Sequence, residues 1–259
     1  MNVFNAPLNS YLDLSEVYQS NVPKHILIKD MFEGNFIDAL EKEFDKRLED
    51  KNNWKDPNRG FLERQLQLEE ANEFQIHEKK YKAGYNPSKN RMCDRLQSDL
   101  NEFPALNKLL NELNSQDFLN FLSTLTGIEE LIPDPGRRSA GLHAGFQDGY
   151  LDIHTDQTWN PYIEAFSCVN VIIYLNTDWE ENWGGKLEFL DEKCEETLFE
   201  YNCNKNNTII WTNSENVWHG YPSPLKCPKD KVRKCFTGFY YTKNKMFNVT
   251  KKTSALWRG

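Results

Sequence analysis

A chain of 259 residues with 39% hydrophobic, 13% aromatic and 27% charged residues has a globular composition, which excludes the collagenous and intrinsically disordered classes. At this size a folded domain buries roughly three quarters of the surface its unfolded chain exposes, so a sizeable core is available. The formal net charge of -8 argues against a general binder of the phosphate backbone, and nucleic acid is not an expected partner.

The opening stretch "MNVFNAPLNSYLDLSEVYQ" has no positive start followed by an apolar run. Nowhere do eighteen uncharged apolar residues follow one another, so the expectation is a cytoplasmic protein without a membrane span. Six cysteines, at 93, 168, 194, 203, 227 and 235, form no C-x-x-C pair. That removes the zinc ribbon and the thioredoxin motif, and in a reducing compartment the thiols stay free.

In chain order, "HILIKD" reads as a strand with Ile26 and Ile28 on one face. Phe36, Leu40, Phe44 and Leu48 then recur every four residues, the apolar stripe of a helix. "NRGFLERQLQLEEANEF" reads as a solvated helix, and "NPSKN" at 86–90 as turn chemistry. Leu106, Leu109, Leu110 and Leu113 keep helical spacing. A second helix follows with Ser115 as its N-cap, Phe118, Phe121, Leu122 and Leu125 as its stripe, and Gly127 as its stop.

"PDPGRR" at 133–138 ends the helical run, and "CVNVIIYLN", "GGKLEFL", "NTIIWT" and "RKCFTGFYYT" read as strands. No helical segment separates them, which predicts antiparallel pairing in a sandwich or barrel. The expected architecture is a single α+β domain over 1–259, with 1–135 mainly helical support and 136–245 a β core. In "NWGG", Gly184 and Gly185 suit backbone angles that other residues resist.

"GYLDIHTDQTW" places His154 and Asp156 two residues apart, so on a strand both side chains leave the same face and can grip one ion. Two ligands bind weakly. Of the five histidines, at 25, 77, 143, 154 and 219, His219 follows a strand at the start of a turn and can supply the third donor. Two imidazoles and a carboxylate on one face leave open positions, the arrangement favoured by non-haem Fe(II) oxygenases. An anionic cosubstrate then needs a buried cation, and Arg233, fourteen residues beyond His219, opens the last clear strand. Read without partners, each residue has a plainer role: His154 and Asp156 a wet strand edge, His219 a turn histidine, Arg233 a surface cation, Tyr174 a core aromatic. His25 and His77 read as solvated.

From Gly141 to Lys243 the strings "HTD", "VNVIIYLNTDWEENWGGKLEFL", "NTIIWTNSENVWHG" and "RKCFTGFYYT" resemble the iron(II)- and 2-oxoglutarate-dependent dioxygenases of the prolyl-4-hydroxylase-like branch. The resemblance implies a double-stranded β-helix, or jelly roll, with Fe(II) held by His154, Asp156 and His219. It also implies 2-oxoglutarate and O₂ as cosubstrates and the distal carboxylate on Arg233 and Tyr174. His143, eleven residues before His154, is expected on the neighbouring strand, within reach of cosubstrate or substrate. Tyr150, Gln157, Trp159 and Trp218 flank the ligands as candidate substrate contacts. Two departures stand out: "PSPLKCPKDK" lengthens the interval from His219 to Arg233, and Cys235 stands where some relatives carry a serine.

The implied reaction decarboxylates 2-oxoglutarate to succinate and CO₂ and hydroxylates a C–H bond. Asp156 favours hydroxylation, since related halogenases carry a small residue there. The expected partner is a small-molecule or peptidyl substrate, with a prolyl residue or proline-like molecule first on family analogy, and a sugar, nucleotide or other metabolite as the alternative. A non-catalytic, metal-holding cupin-like module and a zinc hydrolase are the readings from other classes.

Overall fold

The computed structural model describes residues 2–55, 88–134, 136, 140–246, 248–253 and 255–257. The charged helix expected over 58–74 and His77 lie outside them. Four α-helices are described: α1 (Ser15–Ser20), α2 (Gly34–Glu49), α3 (Pro104–Leu113) and α4 (Gln116–Thr126). The strands are β1 (His25–Lys29), β2 (Ser88–Asp94), β3 (Ile132–Pro133), β4 (Gly141–Thr155), β5 (Trp159–Asn160), β6 (Ala165–Tyr174), β7 (Leu187–Leu190), β8 (Thr197–Tyr201), β9 (Asn207–Thr212), β10 (Trp218–Tyr221), β11 (Arg233–Thr242) and β12 (Leu256–Trp257).

Every described pairing is antiparallel, and the main path runs β1-β9-β6-β11-β4-β10-β7-β8. The long β4 makes this two layers. Its first residues pair with β11, Gly141 facing Thr237 and Gly145 facing Arg233, while its last residues pair with β10, His154 facing His219. One strand thus belongs to both walls of a jelly roll. β1 on β9, and β2 and β12 on β4, extend the sheet with chain from outside 136–245.

Helices cover one face of the layer β1-β9-β6-β11 and the barrel lumen lies on the other. Along β6, Val169, Val171 and Ile173 join Leu106, Phe118 and Leu122 of the helices in the large apolar cluster. The alternate residues Ile172 and Tyr174 join Phe189, Ile209, Trp211 and Cys235 in the interior cluster. A strand buried on both faces reads as a continuous apolar run, which is why "VNVIIYL" shows no alternation.

The helices form where local chemistry favours them. On α2, Phe36, Ile37, Leu40 and Phe44 are buried. The Glu43 carboxylate accepts from the backbone nitrogens of Ala105 and Leu106 at 2.9 and 2.8 Å, capping the first turn of α3 behind Pro104. Ser115 Oγ accepts from Phe118 N at 3.2 Å to start α4, and Gly127, at φ 74°, ends it. Arg47, buried at the end of α2, donates from Nε to Asp94 Oδ2 of β2 at 2.6 Å.

Three expectations change: the turn at 86–90, the turn setting of His219, which lies inside β10 because it pairs with β4 and β7, and the exposure of His25. From Ser88 onward the turn expected at 86–90 gives way to β2; "SKNRMCD" carries no apolar alternation, and its strand character comes from pairing with β4. β8 also went unread, being short and largely exposed. His25 is fully buried rather than solvated: its Nδ1 lies 2.6 Å from Pro23 O and its Nε2 2.6 Å from Tyr201 Oη, with Phe189 stacked 4.9 Å away.

Candidate metal centre

His154 and His219 face one another across the β4–β10 ladder, and their rings lie 4.5 Å apart. Gly220 allows β10 to come this close, because a Cβ there would sit 2.7 Å from Asp152 O. Asp156, just past the end of β4, brings Oδ1 to 3.6 Å from His154 Nε2 and Oδ2 to 3.3 Å from His219 Nε2. One donor atom from each of the three residues lies within 4.8 Å of the others.

The imidazoles are oriented alike. His154 Nδ1 lies 2.8 Å from Asp152 O and His219 Nδ1 3.0 Å from Val217 O, so each Nδ1 carries a proton and each ring turns Nε2 inward. Asn170 Nδ2 donates to Asp156 Oδ2 at 2.6 Å and fixes the carboxylate. Burial alone would raise the Asp156 carboxyl, but the charges and hydrogen bonds of His219 and His154 outweigh it and hold the group far below the usual carboxylate range. Burial and then the His219 ring push His154 down. For His219, burial is outweighed by Asp156, which holds it up. Two nitrogens and one carboxylate oxygen around a shared point suit a first-row divalent cation, Fe(II) among them.

Deeper in the barrel Arg233 is 4% exposed. Its Nε donates to Gly185 O at 2.8 Å and its Nη2 to Tyr174 Oη at 2.9 Å, and its guanidinium lies 4.1 Å from the Tyr221 ring centroid. Among the described residues no carboxylate pairs with it. A buried cation without a counter-ion is costly unless an anion arrives, so the residues present fit a carboxylate-bearing cosubstrate. Burial pushes the Tyr174 hydroxyl up, with Arg233 opposing, so the phenol stays neutral. Gly185, at φ 80°, leaves the room: a Cβ there would lie 2.9 Å from Arg233 Cδ.

His143 lies on β4 itself, in a row with Cys235 of β11 and Tyr174 of β6. Arg91 of β2 donates from Nη2 to His143 Nδ1 at 3.1 Å, which places the ring proton on Nε2, a buried atom with no partner among the described residues. Burial first, then Arg95, Arg91 and Arg233, hold His143 well below its ordinary value, so the ring is neutral. Cys235 brings its sulfur to 3.9 Å from Arg233 Nη1.

The four flanking residues do not gather at one point. Trp218 is buried with Ile153, Leu190 and Leu256, on the face of β10 opposite His219. Trp159 packs edge-on against Phe166, with Lys252 Nζ 3.3 Å from its centroid. The Gln157 carbonyl accepts from Asn213 Nδ2 at 2.9 Å, and Tyr150 pairs with Lys89. Residues that sequence reasoning missed stand closer. Asn170 lies inside an apolar strand, where a lone amide signals a buried partner. Arg91 and Trp257 reach the site from strands whose pairing no local pattern announces.

Residues 141–241 match the family model described as 2OG-Fe(II) oxygenase superfamily. No curated protein matches the chain. Among solved structures, a Pseudomonas putida prolyl-4-hydroxylase is similar at TM-score 0.57 and 13% identity over 91% of this chain and 99% of that one. A Phytophthora capsici prolyl 4-hydroxylase gives 0.52 at 13% identity over 96% and 70%. HygX from Streptomyces hygroscopicus, with nickel and 2-oxoglutarate bound, gives 0.52 at 10% over 95% and 96%. These likenesses establish the jelly roll as this fold. The matched segment runs from the first residue of β4 almost to the end of β11 and so holds the whole histidine–aspartate–histidine corner and its buried arginine, and over these residues the chain is similar to the 2OG-Fe(II) oxygenase superfamily.

Proposed function

We propose that the protein hydroxylates a C–H bond of a small-molecule or peptidyl substrate, with Fe(II) held by His154, Asp156 and His219 and the distal carboxylate of 2-oxoglutarate held by Arg233 and Tyr174. The observation that carries this reading is the convergence of three donor atoms within 4.8 Å, with each imidazole pinned through its far nitrogen. Iron with 2-oxoglutarate and O₂ supplies the oxidising power, the cosubstrate leaving as succinate and CO₂ while one oxygen atom enters the substrate.

The chain's own residues bind and orient. Arg233 and Tyr174 offer a charged and a neutral donor to one carboxylate, and the Tyr221 ring keeps water from the guanidinium. The His143 Nε2–H, without an acceptor among the described residues, lies in the same row as Tyr174 and suits an oxygen of cosubstrate or substrate. Asp156, steadied by Asn170, fills the position that a halide would need.

The finer substrate reading is a prolyl residue or proline-like molecule, supported by the likeness to the two prolyl hydroxylases above. A sugar-like metabolite is the second reading, supported by HygX, whose structure with hygromycin B is similar at TM-score 0.50. The whole chain is proposed as one domain, because strands from both halves share the sheet. Six free cysteines, five of them buried, support a cytoplasmic setting. Among the described residues no helix is long and apolar enough to cross a membrane.

Anaerobic addition of Fe(II) and 2-oxoglutarate should produce a weak visible charge-transfer band, and oxygen should then yield succinate. Asp156→Ala should abolish both, whereas Arg233→Ala should raise the 2-oxoglutarate requirement at least about tenfold, the loss of one charge-assisted contact. Absence of band and succinate from the wild-type protein would return the reading to a binding module or hydrolase.

A further inference from the structure

The chain beyond β11 returns to the metal corner and is stitched there from two sides. Thr158, two residues past Asp156, donates from Oγ1 to Lys251 O at 2.7 Å and accepts from Thr253 N at 2.8 Å, while its own nitrogen donates to Thr253 O at 3.0 Å. Glu215, four residues before His219, accepts from Thr250 Oγ1 at 2.5 Å and from Lys251 N at 3.0 Å. Both anchors sit on the stretches that carry the metal donors. The segment then forms β12, with Leu256 opposite Thr155 and Trp257 opposite His154. Leu256 seals against Ile153, Leu190 and Trp218.

This route lays the Trp257 indole on the His154 imidazole, centroids 4.3 Å apart and planes inclined by 20°. The two histidines are supported differently. His219 is packed from within the barrel by Trp211, edge-on at 5.1 Å, and by Phe189 at 5.9 Å. Among the described residues, the ring contacts of His154 are His219 and Trp257. A hydrogen bond from Nδ1 to Asp152 O sets which way Nε2 points, and a single contact of this kind leaves the ring plane free to tilt. A flat surface against the ring removes that freedom.

We propose that Trp257 is a positioning residue of the metal centre, its indole face holding the His154 plane so that Nε2 stays aimed at the cation. The inference rests on the assignment of His154 as a ligand and adds that the returning segment completes the site.

Anaerobic Co(II) titration of the metal-free protein, read by ligand-field absorption, tests it without turnover. Trp257→Leu keeps the apolar bulk and removes the aromatic face. It should weaken Co(II) binding by about 10- to 100-fold, the usual consequence of losing a partner that orients a ligand, and should change the absorption envelope. Trp257→Phe restores a flat face and should bind within about threefold of wild type. Wild-type affinity and spectrum in Trp257→Leu would overturn the inference, as would equal losses in both variants, since packing rather than the ring face would then be responsible. If Trp257→Leu does not fold, Thr158→Val decides: it loosens the stitch without touching the rings, and unchanged Co(II) affinity would overturn the proposal. Wild-type protein that fails to bind Co(II), or Asp156→Ala that binds it normally, would instead sink the triad and this inference with it.

Discussion

His154 and His219 show how much of a site one residue type can disclose. Strand alternation made His154 and Asp156 legible as a pair, and the position of His219 after a strand made it a candidate for the third donor, because both signals are local. His25 was misread for the complementary reason: its partners, Tyr201 and Phe189, arrive from strands far along the chain. Burial pushes His25 below its ordinary value of 6.5, with the Pro23 carbonyl opposing. A histidine whose folded-state pKa is depressed contributes stability above its unfolded pKa, and that contribution is lost as pH falls through this value toward the folded one. Thermal midpoints should therefore decline from pH 7 to pH 5, and the decline should be shallower in His25→Gln; an identical pH profile in the two proteins would show that other groups govern it.

At the scale of elements, the helices were read well because their signals are carried in cis. The apolar stripe of α4, its Ser115 cap and its Gly127 stop all lie within the element, and the structure places each as the sequence implied. Ser115→Ala removes the acceptor for Phe118 N and should cost about 0.5–2 kcal/mol. A urea unfolding curve would register this as a lower midpoint at unchanged slope. β2, β8 and β12 were not legible, since their strand character comes from ladder partners rather than from composition. Arg91 and Trp257 share that origin, so the part of the site they build was hidden with them.

Across the whole molecule, the helical layer does more than cover the sheet. Arg47 and Asp94, 1% and 4% exposed at their side chains, join the end of α2 to β2, and β2 carries Arg91 to His143. Asp94 also accepts from Leu96 N at 2.8 Å. Asp94→Asn leaves a buried guanidinium without its counter-charge and should cost about 3–5 kcal/mol in chemical unfolding; a cost below about 1 kcal/mol would mean that Ser98, the other partner of Arg47, suffices.

The single strand β4 presents Gly145 beside Arg233 and, farther along, His154 beside His219. The metal corner and the buried arginine are therefore tied to one continuous strand, which carries His154 and pairs with the strands that carry His219 and Arg233, and their separation is fixed by backbone geometry rather than by adjustable loops. On the proposed reading such a strand works as a gauge of molecular length: a 2-oxo diacid one methylene shorter than 2-oxoglutarate should reach one grip and miss the other.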